Sequence, residues 1–231
     1  MEKIELYKTR TFSEKLSDTI AFLRETWRPT LKYFIYLMLP ISIVLAFFMN
    51  HFWGGYMQFV MNLENIGGSM DDSGLLSFGI NALLMTAVYF VAYVVLSALV
   101  YALIRLYRAR PNGLEGLAND EFVAELKTCM ARAAVLILSA IVVFIILVAI
   151  VAVVVVGPFF VHPVFGFVVT LLAYVGALVI LVPLMLVEPI YMLEDEVGIV
   201  DAYKKAIHLG FPTWGGIVAV TFVIGLLASV I

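Results

Sequence analysis

Long apolar stretches alternate with short charged stretches along this chain. Five of the apolar stretches come close to the length of about 20 residues that an α-helix needs to cross the hydrocarbon core of a membrane. We predict transmembrane helices at about 33–50, 75–106, 133–156, 163–187 and 215–231. The sequence VAIVAVVVVG in the third stretch is also typical of a strand. An isolated strand in lipid leaves its backbone groups unpaired, so we predict a helix there.

Three charged segments stand before the first, third and fifth of these stretches. Their apolar residues recur at every third or fourth position, which is the period of a helix with one apolar face. We predict amphipathic helices at about 12–27, 120–132 and 199–209. Thr11 and Glu14 have the spacing of a capping box at the start of the first helix, and Gly210 with Pro212 should end the last one.

Two of the amphipathic segments match each other without a gap. When Phe12 is aligned with Ile199, Trp27 falls on Trp214. The pairs between them are Leu16 with Tyr203, Ile20 with Ile207 and Thr26 with Thr213. The third segment fits in part, through Phe122, Leu126 and Met130. We interpret the match as an internal repeat in which each helix braces the inner end of the next span. The alternative is that linkers before spans are commonly amphipathic.

Composition narrows the class of protein further. The chain is 64% hydrophobic and 13% charged, whereas soluble domains have about 45–50% apolar and about 25% charged residues. A formal net charge of −3 without a basic stripe indicates no nucleic-acid partner. Cys129 is the only cysteine, which excludes an intramolecular disulfide. The N-terminal segment mixes both charges before the first apolar stretch, so we expect no cleavable signal peptide.

The basic residues predict an orientation in the membrane. All 14 Lys and Arg residues lie within 3–32, 105–132 and 204–205, and the connections at 51–74 and 157–162 have none. Because basic connections stay in the cytoplasm, we predict a cytoplasmic N-terminus and an outside C-terminus at Ile231. The predicted fold is all-α: a polytopic membrane helical bundle, with five transmembrane helices plus cytoplasmic amphipathic interfacial helices, in one integral membrane domain over 1–231. The predicted location is the inner (plasma) membrane.

One stretch resembles a known family. The sequence EPIYMLEDEVGIVDAYKKAIHLGFPTWGGIVAV is similar to the signature of bacterial membrane proteins related to the glycerophosphoryl diester phosphodiesterase membrane domain. The matching positions are Glu188, Pro189, Glu194, Glu196, Ala202, Ala206, Leu209, Gly210 and Trp214. The entry segment RTFSEKLSDTIAFLRETWRPTLKYFIYLMLP resembles uncharacterised Bacteroidetes-type inner-membrane proteins of that group. Members commonly have six spans, whereas five are predicted here.

The same resemblance implies a membrane domain and not an activity. In the enzymes that carry this domain, phosphodiesterase chemistry belongs to a separate soluble barrel. The longest polar stretch of this chain is only about 30 residues, which is far below the ~250 residues of such a barrel. We therefore predict that the chain is not an enzyme, with no catalytic residues, no cofactor and no metal.

Four residues stand out as interface or structural candidates. Trp27 and Trp214 are expected at the headgroup level at the inner ends of the first and fifth spans. Glu188 lies at the inner end of the fourth span, where it can reach the interface or pair with a cytoplasmic Arg or Lys. Asn81 lies inside the second span, where a hydrogen bond between helices is the simplest role.

A second set of polar residues is predicted on the outer face. It consists of His51, His162, Glu64, Asp71 and Asp72. A metal or proton site is one interpretation of this set. A solvated outer loop is the simpler one, because no helical i,i+4 ligand pair is present and metal sites need several ligands at fixed geometry.

Two functions fit these observations. The first is a non-enzymatic integral membrane protein, scaffold or regulator, that binds lipid or a partner through its cytoplasmic amphipathic helices. The alternative is a small transporter or channel subunit that acts as an oligomer. The expected partners are membrane lipid, and a second copy of the chain or another membrane protein. The spans contain almost no charged residues and no paired broken helices, which disfavours a midplane transport site.

Overall fold

A computed structural model of the protein describes residues 11–64 and 72–230. These residues form an all-α structure in which no strand occurs within the two described ranges. The helices are α1 (Phe12–Glu64), α2 (Asp72–Ala109), α3 (Asn119–Val161), α4 (Pro163–Leu184), α5 (Val187–Leu193), α6 (Ile199–Gly210) and α7 (Trp214–Val230). The predicted all-α helical bundle is therefore confirmed.

Contacts divide the chain into two compact units. Unit 1 contains Leu23–Met130, and unit 2 contains Ala131–Ile231 with the described part of Ile4–Phe22. Both units contain two long helical segments followed by a polar turn and an amphipathic helical segment, and in unit 2 the short helix α5 precedes the turn. In unit 1 the amphipathic segment is the start of α3, and in unit 2 it is α6.

In unit 1, α1 and α2 pack as an antiparallel pair. Phe59 stacks on Phe78 with 4.9 Å between ring centroids, and the Tyr89 hydroxyl lies 3.8 Å from the sulfur of Met49. Residue numbers on α2 rise as those on α1 fall, which defines the antiparallel direction. Small side chains on α2 let neighbouring helices approach closely, since Ala98 and Ala102 have no exposed surface.

In unit 2, α3 is followed by α4, which ends at Leu184, just after Pro183. The Cβ of an alanine at position 166 on α4 would lie 2.5 Å from the Phe159 ring of α3, so the two helices meet closely at their connection. Residues after Leu184 form a turn and then the short helix α5. Helix α6 packs on both α4 and α5, and α7 packs back on α4. The break between α6 and α7 bends the chain by 94°.

The lengths and apolar composition of the helices are compatible with a multi-pass membrane protein. Within residues 11–64 and 72–230, four helical stretches are long and apolar enough to cross a membrane: Phe12–Met61, Leu76–Ala109, Asn119–Phe160 and Pro163–Leu193. A fifth is obtained if the bent pair of α6 and α7 is taken as one span. By itself α7 has 17 residues, or about 26 Å at 1.5 Å per residue.

The structure corrects two helix boundaries. The amphipathic helix predicted at 12–27 and the span predicted at 33–50 form the single helix α1, and those predicted at 120–132 and 133–156 form the single helix α3. Pro29 removes one backbone donor without ending α1. Of the three predicted junctions between an amphipathic helix and a span, only the third is broken, at 211–213, where Gly210 and Pro212 act together. The match between 12–27 and 199–214 therefore does not extend to a shared break before the tryptophan.

The connection predicted at 51–74 is also largely helical. Helix α1 continues to Glu64, and α2 begins at Asp72. Phe52, Tyr56 and Phe59 have i, i+4, i+7 spacing, and their rings gather around Phe78 of α2 at 5.8, 6.3 and 4.9 Å. This aromatic cluster stabilises the helix through Gly54 and Gly55, because each ring buries a large apolar area.

Candidate functional site

The basic residues of unit 1 lie together at one end, which we call the basic end of unit 1. There the Tyr107 hydroxyl of α2 donates to Glu25 of α1 at 3.1 Å. Arg105 of α2 pairs with Glu125 of α3 at 2.5 Å. These two contacts join the three helical segments through charge-assisted hydrogen bonds, which are stronger than neutral ones.

The turn at 111–118 closes the basic end. Arg110 donates to the backbone carbonyls of Glu115 and Gly116 at 3.1 and 3.2 Å and pairs with Glu121 at 2.9 Å. Gly113 has a φ of 60°, a conformation that favours glycine, and a Cβ there would lie 3.0 Å from the Tyr107 ring. One arginine and one glycine thus hold this turn in a single conformation against α2.

The start of α3 is fixed on α1 by an aromatic and amide contact. Tyr33 stacks on Phe122 with 3.9 Å between ring centroids. Its hydroxyl donates to the Asn119 side-chain oxygen at 3.1 Å, and Lys32 donates to the same oxygen at 3.3 Å. Phe122, Leu126 and Cys129 are buried on one face, so the amphipathic segment packs its apolar side on protein.

A pocket of about 300 Å³ lies between α1 and the turn at 111–118. Its charged lining residues are Glu25, Arg28, Lys32 and Glu115. Within residues 11–64 and 72–230, no carboxylate forms an ion pair with Arg28 or Lys32. The pocket therefore presents two cationic groups next to two carboxylates, and it can bind a small ligand that carries charges of both signs.

Unit 2 has its own polar cluster around the acidic turn after α5. Arg132 of α3 donates to the backbone carbonyls of Tyr191 and Glu194 and pairs with Asp195 at 3.5 Å. Lys205 of α6 pairs with Glu194 at 2.6 Å. The arginine occupies the C-terminal end of α5, where unpaired carbonyls attract a cation. This cluster fastens α3, α5 and α6 together.

Helix α6 buries small residues and leaves large apolar residues exposed. Ala202, Ala206 and Gly210 recur every four residues and are buried against α4 and α5. Val200, Ile207 and Phe211, spaced i, i+7 and i+11, form a neighbouring stripe with exposures of 62%, 43% and 48%. Ile199 and Tyr203 are half-buried. Ala202, Ala206 and Gly210 make the buried face, because small residues permit close helix packing.

Trp214, which was predicted at the headgroup level, forms a hydrogen bond with the backbone of α4 that the sequence did not predict. Its indole Nε1–H donates to the carbonyl of Val179 on α4 at 3.2 Å. In a regular helix that carbonyl would accept from residue 183, which is a proline without an N–H. Gly210 of α6 packs on the same part of α4, since an added Cβ there would lie 2.6 Å from Pro183.

The other predicted residues lie at separate places. Trp27 is exposed, and the Arg28 guanidinium lies 5.4 Å from its ring centre. Asn81 lies beside α1, with its amide nitrogen 3.5 Å from where a Cβ of Gly55 would be. Glu188 is half-buried in the first turn of α5. The hydrogen bond between helices for Asn81 and the basic partner for Glu188 stay predictions.

The predicted outer-face set is described only in part. The structure does not describe the side chains of Glu64 and Asp72, and Asp71 lies outside the described residues. His51 is exposed and stacks on Phe47 at 5.3 Å. The Nδ1 of His162 accepts from the Val164 N–H at 3.2 Å and so caps α4. Among the described residues, no group of three His, Cys, Asp or Glu side chains could hold a metal ion.

Sequence reasoning missed the residues that line the pocket. Glu25, Arg28 and Lys32 have i, i+3 and i+7 spacing on α1 and so share one face. That spacing was visible in the sequence, but the opposing turn comes from residues more than 80 positions away. Only the folded chain brings the two together.

No protein-family model, no curated protein and no solved structure matches this chain.

Proposed function

We propose that this protein is a non-enzymatic, multi-pass protein of the inner membrane that binds membrane lipid through its cytoplasmic amphipathic helices. The observation that carries the proposal is the exposed apolar stripe of α6. A helix with large apolar side chains beside lysines is typical of one that lies in the interface between headgroups and acyl chains. Here Val200, Ile207 and Phe211 form that stripe, and Lys204 lies next to it on the exposed side.

The way in which α6 is held supports the same function. Its small residues anchor it to α4 and α5, and the 94° bend before α7 separates it from the following apolar helix. If α7 crosses the bilayer, a helix at this angle lies near the membrane plane. Basic residues beside it would then face the cytoplasm and the anionic headgroups. The proposed orientation, with the N-terminus inside, rests on the segregation of Lys and Arg.

The resemblance to the phosphodiesterase membrane-domain group is consistent with this proposal. The residues that carry the resemblance include Ala202, Ala206, Gly210 and Trp214, which pack α6 and α7 against neighbouring helices. A family defined by such positions would share the way in which an interfacial helix is attached rather than a reaction. We therefore propose membership of that group as a structural relationship.

The experiment compares two adjacent positions on α6. Ile207→Cys and His208→Cys are each labelled with an environment-sensitive fluorophore in full-length protein reconstituted into vesicles, where Cys129 is buried and should not react. The proposal expects brominated lipid to quench the label at 207 and aqueous iodide to quench the label at 208. Equal quenching of both labels by iodide would show that α6 does not lie on lipid, and the proposal would then fail.

A further inference from the structure

Unit 1 contains an apolar groove in addition to the polar pocket at its basic end. Helix α1 lines both of them. The groove has a volume of about 390 Å³ and lies between α1 and α2. Pro40, Ile41 and Val44 line one side, and Leu84, Val88 and Val91 are among the residues of the other. All of its lining side chains are apolar, so the groove fits a hydrocarbon chain and offers no partner to a polar group.

One row of side chains on α1 connects the pocket to the groove. Lys32, Tyr36, Pro40 and Val44 are spaced four residues apart, so they follow one ridge of the helix. Lys32 lines the pocket, and Pro40 and Val44 line the groove. Tyr36 between them is 73% exposed. A ligand that lies along this ridge can therefore contact both sites without passing through packed protein.

The separation of the two sites matches the dimensions of a lipid leaflet. At 1.5 Å per residue, Pro40 and Val44 lie about 12 and 18 Å along α1 from Lys32. One leaflet has about 15 Å of hydrocarbon beneath roughly 6 Å of headgroup, from a core of about 30 Å in a bilayer of about 40–45 Å. A phospholipid whose phosphate contacts Lys32 would place its acyl chains at the depth of the groove.

The charges in the pocket select a class of headgroup. Arg28 and Lys32 suit a phosphate, for which they can supply charge-assisted hydrogen bonds. Glu25 and Glu115 suit a primary ammonium, which has three N–H donors. A phosphatidylglycerol headgroup offers the two carboxylates only neutral hydroxyl donors, so it does not balance their negative charge. A trimethylammonium headgroup has no N–H to donate to them.

We infer that unit 1 binds one molecule of a phosphatidylethanolamine-type lipid. Its phosphate contacts Arg28 and Lys32, its ammonium contacts Glu25 and Glu115, and one acyl chain lies in the groove beside Val44. The inference rests on the proposed function, since it requires that α1 crosses the membrane with its basic end at the headgroup level. The proposed function requires only that α6 contacts lipid, whereas this inference names a binding site in unit 1 and the headgroup that it prefers.

The test is native mass spectrometry of the full chain released from detergent after incubation with one lipid at a time. The probes are palmitoyl-oleoyl phosphatidylethanolamine, phosphatidylglycerol and phosphatidylcholine. The expected result is one retained phosphatidylethanolamine, at about tenfold higher occupancy than the other two lipids. The loss of one hydrogen bond to a charged group lowers binding affinity by about that factor. Equal retention of all three lipids, or preference for phosphatidylglycerol, would overturn the inference.

Variants separate the two parts of the site. Arg28→Gln with Lys32→Gln should lower retention of phosphatidylethanolamine about tenfold or more, and Glu115→Gln should reduce its preference over phosphatidylcholine. Ala87→Phe should fill the groove and lower retention of all three lipids, because Ala87 lines it. Lys127→Gln is the matched control, since Lys127 is an exposed cation of the same unit outside the pocket. If Lys127→Gln lowers retention as much as the double variant, the site is wrong.

Thermal unfolding of each variant in detergent identifies those that fail to fold. Glu115→Gln keeps the test decisive if the double variant is unstable, because Glu115 is exposed. The fluorescence quenching at Ile207 separates this inference from the proposed function. Quenching by lipid together with no headgroup preference would reject the site alone. Quenching by iodide would reject the proposed function itself.

Discussion

Trp214 donates its indole N–H to the carbonyl of Val179 at a distance of 3.2 Å. Pro183 cannot supply the helical donor that this carbonyl would otherwise have. Hydrocarbon offers no water to an unpaired backbone group, so a helix that carries a proline in lipid depends on a neighbour for this bond. The first residue of α7 therefore satisfies a backbone group of α4 from 35 positions away.

Removing the indole donor should destabilise the native protein. We expect Trp214→Phe to lower the free energy of unfolding by about 1 kcal/mol or more, from the lost hydrogen bond and some packing. Trp27→Phe is the matched control and should change it by less than about 0.5 kcal/mol, because Trp27 is exposed. The measurement is equilibrium unfolding in mixed micelles.

A double-mutant cycle attributes the effect to the carbonyl of Val179. Pro183→Ala restores an N–H at position 183, so Trp214→Phe should cost less in that background than in the native chain. An equal cost in both backgrounds would show that Trp214 contributes through packing and not through this hydrogen bond.

Gly210 should tolerate no side chain. A Cβ at this position would lie 2.6 Å from both Cα and Cβ of Pro183, so α6 would have to move away from α4. We expect Gly210→Ala to destabilise the protein by about 1–3 kcal/mol, as overpacking commonly does. The same unfolding measurement provides the value.

Gly216→Ala is the control for that substitution. In the described part of the chain, no atom apart from its chain neighbours and the nearby backbone of α7 lies within 4 Å of a Cβ at position 216. Alanine there should be neutral or stabilise the helix by up to about 1 kcal/mol. If Gly210→Ala were as well tolerated as Gly216→Ala, the close approach of α4 and α6 would be wrong.

The orientation can be tested with two introduced cysteines. The segregation of the basic residues predicts that residue 13 faces the cytoplasm and residue 73 faces outside. Ser13→Cys should therefore react with an impermeant maleimide only after the cells are opened, whereas Ser73→Cys should react in intact cells. Native Cys129 is buried and serves as the unlabelled background. Labelling of both positions from the same side would reject the predicted topology.

The absence of an enzyme activity is also a prediction. Purified protein should not hydrolyse glycerophosphodiesters, with or without added divalent metal ions, because the sequence predicts no cluster of acid, base and nucleophile. The assay is release of the alcohol product, with a known phosphodiesterase as the positive control. Hydrolysis that disappears in both His51→Ala and His162→Ala would contradict the prediction and point to the outer-face set.

The sequence predicted the helical class and the long apolar helices because those features are local. A helix in lipid must pair its own backbone groups, so a sufficiently long apolar run predicts it without knowledge of its neighbours. The break after α6 was also predicted, because Gly210 and Pro212 act within one turn. The continuation of α1 through 51–64 was not predicted, since it depends on packing of its aromatic rings on Phe78 of another helix.

The sequence by itself determined where the apolar helices lie and that the basic residues are confined to three segments. Only the tertiary structure decided which groups meet. The repeat pattern paired Trp27 with Trp214, yet Trp27 is exposed and Trp214 binds a backbone carbonyl. Two residues that are equivalent in pattern thus differ in role, because a hydrogen bond depends on an acceptor that another helix supplies. The length of an apolar stretch can be read from one segment, whereas the hydrogen-bond partner of a side chain depends on how the helices pack.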